Sequence, residues 1–91
     1  MLILFSHALP TILARYHKLP CHGRIGVFSF KKDRGFWLEK LPDSMCRVTE
    51  FGFKAETRVV EAGSLAVTLK PVIQLEFPRS FKLHMDLRPA G

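Results

Sequence analysis

The chain has 91 residues and 47% hydrophobic content, enough for one modest core and too apolar for intrinsic disorder. Its net charge is +6, unevenly spread: residues 1–32 hold no Asp or Glu and carry Arg15, Lys18, Arg24, Lys31 and Lys32, whereas residues 33–91 are nearly neutral. Cys21 and Cys46 are too few for a disulfide framework, which favours two thiols in a reducing, intracellular setting.

In chain order, Met1-Leu2-Ile3-Leu4-Phe5 is a short apolar run with no cation before it. It lacks the basic start of a secretory signal, and a bilayer span needs about 20 apolar residues, so no transmembrane segment is expected. Leu9, Ile12, Leu13, Tyr16 and Leu19 recur at helical spacing opposite Arg15 and Lys18, which predicts an amphipathic helix within residues 1–20. Pro10 fits its first turn, and Pro20 ends it. Such a helix can cover a sheet, dock on a protein partner, or serve in organellar import, since its composition is basic and acid-free.

Residues 23–41 read as a basic, aromatic hairpin. A strand from Gly23 to Phe30 is followed by the turn Lys31-Lys32-Asp33-Arg34-Gly35, and Phe36-Trp37-Leu38 resumes the sheet. Leu41-Pro42-Asp43-Ser44 is a second break, and strands are expected at 47–53 and 54–61 with a bend at Gly52. From Ser64 to Arg88 the apolar residues fall on odd positions, among them Leu65, Leu69, Ile73, Leu83 and Met85, and polar ones on even positions. A period of two predicts two strands folded back at residues 77–80, with Pro71 at an edge or bulge. The whole, 1–91, is expected as a single domain with antiparallel strands across 46–88. The fold class is mainly β: a small antiparallel barrel or sandwich of five to seven strands with one N-terminal amphipathic helix.

No catalytic motif is present: there is no nucleophile elbow, phosphate-binding Gly-rich loop or His-Glu-x-x-His, so neither an enzyme nor a cofactor is expected. His17, Cys21, His22 and Cys46 are metal-ligand types, but their spacing is not that of a zinc site. The hairpin carries the clearest chemistry. Arg24, Lys31, Lys32 and Arg34 alternate with Phe36 and Trp37, as in proteins that hold single-stranded nucleic acid with cations on phosphates and rings on bases.

Gly23, Ile25 and Phe28, followed by Arg34-Gly35-Phe36, resemble the first hairpin of cold-shock domains, with Trp37 where that motif has a second Gly. That resemblance implies a small barrel that binds single-stranded nucleic acid. A second set, Phe36 to Pro42, Gly63-Ser64-Leu65 and Lys70-Pro71-Val72 with Leu75 and Phe77, resembles lipocalin-like barrels that bind polyisoprenoids and implies an apolar ligand. The expected role is therefore a non-enzymatic binding or assembly module, its basic N-terminal third docked on RNA or a ribonucleoprotein. The alternatives are a β-barrel for an apolar or lipid ligand and a small subunit of an organellar membrane complex.

Overall fold

A computed structural model describes residues 1–52, 54–77 and 82–88. Six strands form one antiparallel sheet: β1 (Leu2–Leu4), β2 (Arg24–Phe28), β3 (Gly35–Leu41), β4 (Met45–Phe51), β5 (Glu56–Glu61) and β6 (Lys82–Arg88). Their order is β1-β6-β2-β3-β4-β5. Two helices, α1 (Ala8–His17) and α2 (Leu65–Glu76), are each preceded by a single 3-10 turn, Phe5–His7 and Ala62–Ser64.

The mainly β architecture with an N-terminal helix is observed. The sheet is not closed, because β1 and β5 lie at opposite ends of it. The lower layer is the helix pair. Register aligns Ile25 with Leu38 and Val27 with Phe36 on one face, Leu38 with Val48 beyond them, and Val27 with Met85 on the other side. These side chains are buried with Ala8, Ile12 and Tyr16 of α1 and with Leu65, Leu69, Val72 and Ile73 of α2. Both helices thus bury their apolar stripes against the same sheet face.

Two expectations need correction. Residues 65–76, expected as a strand, form α2. Positions four apart are all odd when the first is, so Leu65, Leu69 and Ile73 satisfy strand parity and a helical stripe at once. Val72, on the wet side of the strand reading, decides between them: it lies one position before Ile73 and is buried beside it. Pro71 lies inside α2 and removes the amide that would have bonded the Val67 carbonyl; both residues are exposed, so water can reach that carbonyl. Lys70-Pro71-Val72, one of the pieces that carry the second resemblance, is therefore helical. The second correction is at the N-terminus, where residues 2–4 of the expected helical segment form β1, paired with β6. β6 itself lies within the expected C-terminal strand. The fold-back expected at residues 77–80 falls mostly outside the described residues.

The β3–β4 connection carries local strain. Asp43 and Ser44 have φ of 62° and 60°, and the Met45 amide donates to the Pro42 carbonyl at 3.4 Å, a turn with two left-handed central residues. Asp tolerates that region better than Ser. Ser44→Gly is expected to stabilise the fold by about 0.5–1 kcal/mol, read as a higher urea midpoint at unchanged slope.

Candidate nucleic-acid interface

The face of the sheet opposite the helices holds the residues of interest. Adjacent strands place His84, Phe28, Gly35 and Phe51 in one row, then Asp86, Gly26, Trp37 and Thr49, then Arg88, Arg24, Glu39 and Arg47. Among the described residues no helix lies on this face. An aromatic cluster occupies its middle: Phe28 meets Trp37 edge-on at 5.2 Å and Phe51 at 5.8 Å. The glycines make room for it. A Cβ on Gly26 would meet the Phe28 and Trp37 rings at 2.5 and 2.8 Å, and one on Gly35 would meet the Val27 carbonyl at 2.1 Å. The rings therefore lie directly on the β2 backbone, which packs Phe28 into the surface and leaves Trp37 and Phe51 half-exposed.

Cations flank this cluster along the strands. At one end the Arg24 guanidinium lies 5.5 Å from the Trp37 ring centroid. Its neighbour Glu39 is already engaged, accepting from Arg47 at 2.8 Å and lying 3.4 Å from His22 Nδ1. At the other end the β2–β3 loop is folded by its own hydrogen bonds. The Ser29 amide donates to the Arg34 carbonyl at 2.9 Å, and the Ser29 hydroxyl donates to Asp33 at 2.7 Å. That hydroxyl holds the exposed Asp33 carboxyl below its ordinary pKa. Lys32 takes φ 60°, and both Lys31 and Lys32 point into solvent. Phe30, 65% exposed, stands beside His84 at 5.6 Å.

Of the six residues expected to touch nucleic acid, Arg24 and Trp37 are brought together on the open face, and Lys31 and Lys32 sit at the loop. Arg34 is half-buried, 4.0 Å from Asp33, with its side chain against Gly52. Phe36 is the correction. It is 0% exposed, faces the helices and lies 6.1 Å from the Phe77 ring, so in this fold no base can stack on it. Sequence reasoning missed Phe51, Phe30 and Ser29 as parts of this surface. The parity of β3 held the clue: Phe36 goes with Leu38, and Trp37 with Gly35 and Glu39.

Two other polar places lie outside this face. A cleft of about 350 Å³ lies between the end of α1 and the β3–β4 turn, lined by Tyr16, His17, Lys40 and Met45 among others. Its one ammonium is committed: Lys40 donates to the Tyr16 and His17 carbonyls at 3.4 and 3.3 Å and caps α1. Burial pushes the Tyr16 hydroxyl well above its ordinary pKa. Cys46, buried beside it, and the exposed Cys21 are both free thiols. Among the described residues no three His, Cys, Asp or Glu side chains are grouped to hold a metal.

The second place is Glu50, only 3% exposed, which accepts from Arg58 at 3.3 Å and whose Oε2 has no partner among the described residues. Burial raises its pKa above the ordinary value; Arg58 and Lys54 oppose the shift, and Glu76 and Glu56 add to it. With the folded pKa above the unfolded one, Glu50's contribution is fully present below about pH 4.3 and is lost as pH rises through the folded value. E50Q should therefore lose stability relative to wild type between pH 7 and pH 4.5, measured by urea unfolding at both.

No helix is long and apolar enough to cross a membrane among the described residues. Comparison of the chain with protein-family models, with curated proteins and with solved structures found no match.

Proposed function

We propose that the open sheet face and the adjoining β2–β3 loop bind single-stranded RNA, making this a non-enzymatic RNA-binding module. The observation that carries the reading is the placement of half-exposed rings, Trp37 and Phe51, between two cationic ends, Arg24 with Arg88 and Lys31 with Lys32. The five residues of β2 set those ends about 17 Å apart, a span that a short extended strand of nucleotides can bridge. Phosphates meet the cations at either end while bases lie on the rings between them, and stacking makes the contact tolerant of sequence. The carboxylates around this face are mostly engaged: Glu50 and Glu76 are buried on the helix side, Glu39 is paired with Arg47, and Asp86 lies 4.0 Å from Arg88.

The test is fluorescence anisotropy with a labelled single-stranded uridine oligonucleotide across a salt series. Four neutralised phosphates predict that log affinity falls with log salt at a slope of about −3. The double variant K31A/K32A should flatten that slope by about 1.4. Absent binding at low salt, or binding insensitive to salt, removes the reading.

A further inference from the structure

Exposed apolar side chains are unevenly placed on this molecule. Among the described residues Leu2, Leu4 and Phe30, 48%, 39% and 65% exposed, gather at one corner of the open face, while Val59 lies at the opposite edge on β5 and Val67 on α2. Single apolar residues are ordinary on a protein surface, whereas a contiguous group marks a contact. Strand register builds the corner. Leu2 pairs with His84 and Leu4 with Lys82, so these four side chains share the open face, opposite the buried Ile3, Leu83 and Met85. The Phe30 ring stands 5.6 Å from the His84 ring and carries the patch onto the β2–β3 loop. Three exposed ammonium groups border it: Lys82 beside Leu4, and Lys31 and Lys32 directly after Phe30. The carboxylates nearest in sequence have other partners. Asp33 accepts from the Ser29 hydroxyl at 2.7 Å, and Asp86 lies 4.0 Å from Arg88, toward the far end of β6.

We infer that this corner docks on an anionic lipid surface, with Leu2, Leu4 and Phe30 entering the boundary between headgroups and acyl chains. Charge and side-chain type together select that occupant. The lysines call for an anionic partner, and a second copy of a chain of net charge +6 would set lysines against lysines. Nucleic acid supplies negative charge, but its bases stack on rings and gain nothing comparable from two leucines. A bilayer containing anionic lipid meets both demands. The apolar side chains leave water, and the lysine stems lie along them while the ammonium groups reach the headgroup phosphates. Three apolar side chains and three cations make a shallow, reversible attachment, which strengthens with the anionic lipid content of the surface. The inference goes beyond the RNA reading and shares only the β2–β3 loop with it.

Flotation of the full chain with lipid vesicles is the test. Phosphatidylcholine vesicles with roughly 30% phosphatidylserine should carry the chain, and pure phosphatidylcholine should bind it on the order of a hundredfold less. K82Q should weaken binding to the anionic vesicles about fivefold. F30S, in an exposed loop position, should weaken it on the order of tenfold. V67S on α2 should leave it unchanged, and the fluorescence of Trp37 reports that each variant is folded. L2S/L4S should lose the vesicles while keeping wild-type affinity for a single-stranded uridine oligonucleotide. A chain that floats with the anionic vesicles yet binds no oligonucleotide supports the inference and removes only the RNA reading. No flotation, equal binding to pure phosphatidylcholine, an F30S variant that binds as wild type does, or an L2S/L4S variant that loses the oligonucleotide but keeps the vesicles would overturn the inference.

Discussion

Replacing Phe36 by Ala is expected to cost about 3–5 kcal/mol, the largest loss of any single truncation on the hairpin. The ring is wholly buried, packs against Phe77 beyond α2 and sits opposite Glu50 across the β3–β4 ladder. Its removal leaves a cavity beside Glu50 and Phe77, where the sheet meets the end of α2. A domain of this length has a total stability of roughly 5–14 kcal/mol, so the variant is left marginal. Urea unfolding followed by far-ultraviolet circular dichroism reads the shift. F36L, which keeps most of the volume, should recover all but about 1–1.5 kcal/mol.

Trp37→Ala, one residue along the same strand, should act on binding instead. Its ring faces away from the helices, is half-exposed, and lies under the Arg24 guanidinium. Loss of a stacking ring is worth about 1–3 kcal/mol, or roughly a 5- to 150-fold weaker affinity for a single-stranded oligoribonucleotide. Stability should fall less than in F36A, because the ring is half-exposed and its contacts, with Gly26, Phe28 and Arg24, lie at the surface. W37F should keep much of the affinity. R24A should weaken binding and also lower the magnitude of the salt slope by about 0.7, since it removes a cation rather than a ring.

The contrast between these neighbours shows where the sequence was readable. In β2 and β3 the apolar runs, the charged loop and Gly35 marked the hairpin, though β2 ends at Phe28 and β3 begins at Gly35 rather than at Phe30 and Phe36. The same holds for α1, which an apolar stripe, Pro10 in its first turn and Pro20 beyond its end made legible. In Leu65–Glu76 local pattern fails, because a spacing of four is even and a helical stripe can pass for strand parity. Tertiary packing decides there: the sheet leaves room beside α1 for a second helix, and Val72 with Ile73 gives that helix a wider apolar stripe than a strand needs. β1 was hidden for a different reason. Three apolar residues carry no periodicity, and only the exposed edge of β6 makes them a strand.

For the candidate surface, charge was legible and facing was not. Lys31 and Lys32 were visible as loop cations, but the separation of Phe36 from Trp37 requires knowing which face the helices cover. Phe51 joins the cluster through a register across two ladders, which no local window of sequence contains.

Nuclear magnetic resonance titration of the labelled chain with a single-stranded oligoribonucleotide bears most directly on the open face as the site of contact. The account predicts shifts at the Trp37 indole and at the amides of Arg24, Lys31, Lys32 and Phe51, with α1 and α2 unmoved. Shifts confined to the helices, or none at a concentration well above the fitted Kd, would contradict it.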